Sequence, residues 1–318
     1  MAAKPIQSRY AWFQGSIVPI SEAKVSVANH AFNYGTAAFG GLRGYWNEEE
    51  AQLFIFRPID HFTRVLGSAK MLMMNLPYTA ESMRDILVEL LRKEDFRENV
   101  YVRPIVYKSL EGIGVRLHDI PDDFTMFAYP FGNYLETDAP AKVGVSSWRR
   151  IDDTMIPARG KISGAYVNSA LIKSEAVLAG YDEAIVLSSD GHVSEASAAN
   201  IFIVRGGVAI TPAISDNILE GITRRTVITL LTDVIGVPVV ERPIDRTELY
   251  LAEEVFFCGT GVQIVAVGEI DHRLVADGAE GPIVTKLRTL FADVVTGRHP
   301  DYRHWLEPVF VKEGAAQR

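Results

Sequence analysis

The spacing of apolar and polar positions predicts a chain that alternates short strands with amphipathic helices. Two apolar bursts around Gly15, Trp12-Phe13 and Ile17-Val18, predict a small hairpin. Leu53 to Phe56 reads as a strand. Pro58 then opens a helix reaching about Met74, with Phe62, Val65, Leu66, Ala69 and Met73 at helical spacing and Arg64 on the opposite face. Thr79 is placed to cap a second helix, Ala80 to Lys93, whose apolar stripe is Met83, Ile86, Leu87, Leu90 and Leu91. Strands at Val100 to Tyr107 and Phe124 to Tyr129 follow without the rhythm of a parallel sheet, so the first third reads as an α+β domain.

The polar stretch Asn133 to Lys142, with Pro140, predicts an interdomain linker. It separates a small amino-terminal domain, residues 1–132, from a large domain, residues 143–318. In the second part the pattern predicts a strand at Val143 to Ser147 and a helix at Ala165 to Ala179. Strands Glu183 to Leu187 and Ala199 to Val204 are expected to join through Ser189-Asp190-Gly191, with another turn at Gly206-Gly207. A helix from Gly221 to Ile235 is stopped by Gly236. Strands Pro238 to Glu241 and Glu254 to Cys258 precede a last helix, Ile283 to Val295, and the tail after Gly297 reads as irregular.

Composition narrows the functional classes. With 318 residues, 48% of them apolar, the chain can bury a substantial core. A net charge of −8 disfavours nucleic acid as a partner, and Arg149-Arg150 and Arg224-Arg225 are isolated basic pairs. Neither a signal-peptide core nor an apolar run of about 18 residues is present, so a cytoplasmic protein without a membrane partner is expected. The single cysteine, Cys258, excludes an internal disulfide. Histidines without a paired spacing, and one Glu269-x-x-His272, leave no metal site to expect.

Candidate chemistry centres on Ala158 to Ser169, where Lys161 stands among glycines and small residues with Tyr166 five positions on. Alone, Lys161 reads either as a loop lysine before a helix or as an amine desolvated enough to attack a carbonyl. Leu219-Glu220-Gly221-Ile222-Thr223 opens a helix with free amides, which favours an anion. Gly259-Thr260-Gly261 ends a strand with donors and little bulk, and Arg64 offers a guanidinium matched to phosphate. Each of these also has a bland reading as an ordinary cap, turn or solvated arginine. Glu195, among small residues before an apolar strand, reads as an exposed loop glutamate or as a carboxylate keeping a pyridine nitrogen protonated. Glycines 35, 40, 41 and 44 leave backbone bare, either for a strand bend or for close approach by another group.

Together these residues describe a pyridoxal phosphate site. Lys161-x-x-x-x-Tyr166-x-Asn168-Ser169, Glu195-x-Ser197-x-x-Asn200-Ile201-Phe202, Leu219-x-Gly221-Ile222-Thr223-Arg224 and Gly259-Thr260 resemble, in order and spacing, the fold-type IV pyridoxal phosphate enzymes. Tyr34-Gly35-Thr36, Phe39-x-Gly41-x-Arg43, His61-x-x-Arg64-x-x-x-Ser68-Ala69 and Tyr101-x-Arg103-Pro104 are similar to the branched-chain amino acid aminotransferases within that group. The resemblance implies an α+β two-domain fold, with a smaller amino-terminal α/β domain and a larger carboxy-terminal mixed α/β, barrel-like domain. It also implies pyridoxal 5'-phosphate as cofactor, small amino acid and keto acid substrates, and a homodimer or higher homo-oligomer with shared sites. Lys161 would bond the cofactor and move the proton between the substrate α-carbon and C4′. Glu195 would pair with the pyridine nitrogen, and Tyr166 with the ring hydroxyl oxygen. Arg64, Ile222, Thr223 and Thr260 would hold the phosphate, with Leu219 in the same cofactor-binding segment. Tyr101, Arg103 and the amides of Thr260 and Gly261 would lie near the substrate carboxylate. Tyr34, Phe39, Val115, Phe131 and Tyr134 would shape the side-chain pocket, and Gly41 and Arg43 belong to the same substrate-binding group. The family pattern carries an acidic residue where this chain has Gly40, which leaves a D-amino acid or (R)-amine donor as the alternative within the fold. A non-catalytic protein binding the same cofactor, or another phosphorylated ligand, is the alternative outside enzymes.

Overall fold

In the computed structural model the described residues are 6–132 and 139–310. In chain order they form β1 (Tyr10–Phe13), β2 (Ser16–Pro19), α1 (His30–Tyr34), β3 (Ala37–Phe39), β4 (Leu42–Asn47), β5 (Gln52–Phe56), α2 (Pro58–Met71), α3 (Ala80–Glu94), β6 (Val100–Lys108) and β7 (Asp122–Pro130). They continue with β8 (Ala141–Arg149), α4 (Tyr166–Leu178), β9 (Glu183–Leu187), β10 (Val193–Ala196), β11 (Asn200–Arg205), β12 (Val208–Thr211), α5 (Ile222–Leu230) and β13 (Val239–Glu241). Last come β14 (Glu254–Gly259), β15 (Gln263–Ile270), β16 (Arg273–Leu274), α6 (Pro282–Val295) and β17 (Leu306–Pro308). The chain divides into two compact units: Met1–Gly132 with Gly160–Gly164 and Asp293–Arg318, and Asn133–Arg159 with Ala165–Ala292. Of the expected linker, residues 133–138 lie outside the described residues.

The first unit is built on a sheet ordered β17-β5-β4-β6-β7-β1-β2, with β3 paired to β6. Its spine is the antiparallel pair β6 and β7, in register from Val100↔Pro130 to Lys108↔Asp122. Phe62, Val65 and Ala69 of α2 are buried, as are Met83, Leu87, Leu90 and Leu91 of α3, so both helices follow their apolar stripes. Pro58 takes the first helical position of α2, and Thr79 forms a capping box with Ser82 at the start of α3. Met73 departs from the stripe. The helix ends before it, and Met73 is 58% exposed with φ of 54°, outside the core. The tail after Gly297 also differs from expectation, because β17 pairs antiparallel with β5, Leu306 opposite Phe56.

A buried carboxylate fixes the amino-terminal hairpin. Glu94, at the end of α3, accepts from the amides of Arg9 and Tyr10, both at 2.8 Å, and from Ser8 Oγ at 2.9 Å. Its side chain is fully buried. Glu94→Ala leaves those donors without an acceptor, and urea denaturation should show a loss of about 2–4 kcal/mol. A change within about 0.5 kcal/mol would show that the hairpin stands without the clamp.

The second unit holds a mixed sheet ordered β10-β9-β8-β15-β14-β11-β12-β13, with β16 on β15. β8 runs parallel to both β9 and β15, whereas β14 is antiparallel to β11 and β15. One face buries Val143, Ile185, Ile201, Ile203, Val255, Phe257 and Val267 in a single core. Helices and mixed strands in both units give the expected α+β class. Four strands of this unit were absent from the apolar pattern as read: β10, β12, β15 and β16. Ser189-Asp190-Gly191 therefore joins β9 to β10, not to β11, and Glu195 lies in a strand. Glu254 of β14 caps α6 by accepting from the amides of Ile283 at 3.0 Å and Val284 at 2.9 Å.

Glu248 gives this unit an acid-sensitive tie. Hydrogen bonds from Arg242, and then from Arg205, outweigh burial and hold its carboxyl at about 2, below the ordinary 4.5. A depressed folded-state value means that the contribution is complete above about pH 4.5 and is lost as the pH falls towards 2. Denaturation at stepped pH should show that Glu248→Gln flattens this acid limb and leaves the other carboxylates' contributions in place.

Candidate active site

Lys161 belongs to the first unit, where Gly160–Gly164 lies alongside β3. Phe39 N donates to the Lys161 carbonyl at 3.0 Å, Gly164 N to the Gly35 carbonyl at 3.1 Å, and Ala38 bridges Ile162. Gly35 ends α1 in the left-handed region at φ 69°, and a Cβ there would come within 2.9 Å of Gly164 Cα. Only bare backbone permits this approach. From α2, the buried Ser68 Oγ accepts from Lys161 N at 3.2 Å and donates to the Arg64 carbonyl at 2.9 Å. The lysine is thus fixed through its main chain, while its side chain is half-buried with Nζ 5.3 Å from the Phe39 ring centroid.

Pairing in the same sheet gathers most of the expected substrate residues. Arg43 of β4 lies opposite Tyr101 of β6, which lies opposite Tyr129 of β7, and Arg103 is opposite Phe127. Alternation places Tyr101 and Arg103 on one face. Arg103 stands 4.4 Å from the Phe39 ring centroid and donates to Tyr101 Oη at 3.3 Å. Its Nε is buried without a hydrogen-bond partner among the described residues. Tyr101 and Phe131 rings lie 5.3 Å apart, and a Cβ on Gly41 would strike Tyr101 Oη. Arg43 is buried and donates to the carbonyls of Phe131, at 3.1 Å, and Gly132. Burial pushes its guanidinium below the ordinary value, against the opposing effect of Tyr45, Tyr101 and Tyr129. Burial likewise pushes Tyr129 up. Tyr34 Oη accepts from Gly114 N at 3.2 Å, beside Val115, which is 75% exposed. Tyr134 lies outside the described residues. At Gly40, a Cβ would meet Pro104 Cγ at 2.7 Å and Val65 Cγ2 at 3.0 Å, so this glycine serves close packing of strand on helix.

In the second unit, Glu195 is buried in β10 and ringed by donors. Oε1 pairs with Arg150 Nη2 at 3.0 Å, while Oε2 accepts from Leu219 N at 3.0 Å and Asn200 Nδ2 at 3.3 Å. Asn200 Nδ2 also donates to the Leu219 carbonyl at 3.0 Å. Gly221 abuts Asn200 and caps α5 with no side-chain acceptor, which leaves the amides of Ile222 and Thr223 at an uncapped amino terminus. Both of those residues are buried. Asn200 pairs with Cys258, and the next turn, Gly259 to Gln263, carries Thr260 and Gly261. The strand register therefore places the α5 terminus, Glu195 and the Gly259-Thr260 turn on neighbouring elements. Tyr166 is the first residue of α4, and Arg64 is half-buried on α2 in the other unit. Burial drives the Cys258 thiol up to about 12, so a thiolate nucleophile is excluded there.

Sequence reasoning passed over Arg150 as half of an isolated basic pair. Its partner is distant in sequence, and nothing local marks it. Asn200 and Ser68 stood within the motifs without a role, which their hydrogen bonds now supply.

Within the second unit alone, a buried carboxylate beside an uncapped helix terminus suits a ligand that carries both a cationic nitrogen and an anionic group. The family described as class IV amino-transferase matches residues 46–270. The chain belongs to the class IV aminotransferases. It is 48% identical to a probable branched-chain-amino-acid aminotransferase of Aquifex aeolicus, over 97% of this chain and 99% of that protein. A branched-chain aminotransferase of Thermoproteus uzoniensis, solved with norvaline, superposes with a TM-score of 0.91 at 42% identity, over 96% of this chain and 100% of that one. The PLP form of the Thermobaculum terrenum branched-chain amino acid aminotransferase gives 0.92 at 38% identity, with the same coverage.

Proposed function

We propose that this class IV aminotransferase moves the amino group of branched-chain L-amino acids to 2-oxoglutarate with pyridoxal 5'-phosphate, in two half-reactions. The carrying observation is Glu195: a buried carboxylate held by three donors beside an uncapped helix terminus suits a ligand with a cationic ring nitrogen and an anionic phosphate. The residues present therefore fit the cofactor. When bound, it supplies an electron sink for the bond broken at the substrate α-carbon. Lys161 would hold the cofactor through its side-chain amine, and the same amine would carry the proton between the substrate α-carbon and C4′. Glu195 accepts from the ring N–H, and Tyr166 holds the ring oxygen. Arg64, Thr223 and Thr260 hold the phosphate with the Ile222 amide, and Leu219 supports that segment.

Arg103, with its buried Nε and its bond to Tyr101, binds the substrate carboxylate, joined by the amides of Thr260 and Gly261. Tyr34, Phe39, Gly41, Arg43, Val115, Phe131 and Tyr134 shape the apolar side-chain pocket. Exposed Val115 and Phe32, at 75% and 70%, favour cover by a second copy, so the working form is a homodimer with shared sites. Among the described residues no helix is long and apolar enough to cross a membrane, and a cytoplasmic location, with the domain boundary at residues 133–142, completes the reading.

Branched-chain naming of the relatives favours L-leucine, L-isoleucine and L-valine over (R)-amines or D-amino acids. The packing role of Gly40 supports this, because the missing side chain is explained by Val65 and Pro104 without a change of donor. The test is a half-reaction panel that follows the visible absorbance of the bound cofactor. L-leucine should bleach it within seconds, and D-alanine and (R)-1-phenylethylamine should not. Faster bleaching by either of the latter would reverse the substrate assignment, and a protein that takes up no cofactor would refute the reading.

A further inference from the structure

Arg150 reaches the candidate cofactor site through Glu195. A carboxylate offers about four acceptor positions. On Glu195, Oε2 receives two donors, Leu219 N and Asn200 Nδ2, and Oε1 receives Arg150 Nη2. The remaining position is on Oε1, so a ring N–H bound by Glu195 shares one oxygen with a guanidinium. We propose that Arg150 is a positioning residue that, acting through Glu195 Oε1, limits how strongly this carboxylate binds the protonated ring nitrogen of the cofactor. The inference rests on the pyridoxal phosphate reading above.

Two physical effects give the sign. Arg150 offsets the charge of Glu195, with which it shares a nearly buried ion pair, side chains 11% and 5% exposed. It also places a second cation roughly 4–5 Å from the ring N–H by ordinary hydrogen-bond geometry. At that distance, in a partly screened interior, like charges change a binding constant by about ten- to a hundredfold. Both effects weaken the grip on the ring nitrogen, so removing the Arg150 charge strengthens it. The segments that supply the donors of Glu195 also carry Asp152 and Asp153 after β8, and Asp216 and Glu220 before α5, with Arg159 paired to Glu220 at 3.2 Å. Arg150 is the one that touches the carboxylate.

A second consequence is mechanical. Arg150 Nε donates to the Asn217 carbonyl at 3.0 Å, while Leu219 N donates to Glu195. The ion pair therefore ties down both ends of the segment leading into α5. A merely structural arginine would do this too, so the test has to isolate the ring nitrogen.

The experiment compares pyridoxal phosphate with its analogue carrying carbon in place of the ring nitrogen. Dissociation constants of both are measured by equilibrium dialysis on the full chain, for wild type, Arg150→Gln, Arg150→Met and Arg150→Lys. The quantity read is the analogue constant divided by the pyridoxal phosphate constant. It should rise about ten- to a hundredfold in Arg150→Gln and Arg150→Met, and stay within about threefold in Arg150→Lys, which keeps the charge. Loosening of the segment before α5 weakens both ligands alike and cancels in the ratio. An unchanged or lowered ratio in the two neutral variants overturns the proposal. If either neutral variant fails to fold, the other carries the measurement, the methionine keeping the packing of the stem. A wild-type chain that binds neither ligand refutes the cofactor reading instead, and is thereby distinguished.

Discussion

Replacing Lys161 by alanine is expected to lower the turnover of L-leucine by at least about 10⁴-fold, because one residue carries both the covalent bond to the cofactor and the proton transfer. The chain should nonetheless fold. The described bonds of this segment use its own main chain: Phe39 N donates to the Lys161 carbonyl, Gly164 N to the Gly35 carbonyl, and Lys161 N to the Ser68 side chain. Alanine keeps all three. Urea denaturation of the cofactor-free proteins should therefore give midpoints close to wild type, while single-turnover kinetics with L-leucine collapse. Borohydride reduction followed by peptide mass spectrometry supplies a second readout: wild type should carry the cofactor mass on the Lys161 peptide, and the variant should carry none. Undiminished turnover in Lys161→Ala would remove the lysine from the chemistry altogether.

The reasons some of this was legible, and some was not, are physical. α2, α3, α5 and α6 were readable because one helix face meets a core, so apolar spacing survives in the sequence. β10 was not, because after Val193 its residues are polar or small yet all buried, with Glu195 satisfied by partners brought from the residue after β8, from β11 and from the turn before α5. A buried strand whose polar atoms find partners from elsewhere in the fold carries no alternation to detect. β17 is three residues ending in proline, too short for any pattern. β15 carries an unbroken apolar run, Ile264 to Val267, which has no strand alternation and follows closely on the glycine-rich turn at Gly259 to Gly261.

For the site, residue types and spacing exposed the lysine, the glutamate and the helix opening. What they could not supply was orientation. Gly40 shows this: in the sequence it was a missing charge, whereas its Cβ direction leads into Pro104 and Val65. Arg150 shows the converse, since an unremarkable basic pair separates into an exposed Arg149 and an ion-paired Arg150 only when β8 is placed beside β9, whose other neighbour is β10.

The second large effect is expected at Gly221, whose backbone needs no glycine for conformational reasons, with φ of −68° and ψ of 132°. Its constraint is space. A Cβ there would collide with Asn200 Oδ1 and approach Arg224 Cβ to 3.3 Å. Asn200 is buried, and its amide is oriented by two acceptors, the Leu219 carbonyl and Glu195 Oε2. Turning the amide away would break both bonds, and flipping it would set oxygen against oxygen. Gly221→Ala should therefore loosen Glu195 and the first turn of α5 together. Two lost buried hydrogen bonds correspond to about 2–3 kcal/mol, or roughly 30- to 150-fold in cofactor affinity. Equilibrium dialysis with pyridoxal phosphate reads the change directly. Pairing it with Asn200→Ala provides the decisive comparison: if the alanine at 221 acts by displacing Asn200, the double variant should bind about as weakly as the worse single variant, and not with the sum of the two losses. Additive losses would mean that Gly221 acts on the helix terminus independently of Asn200.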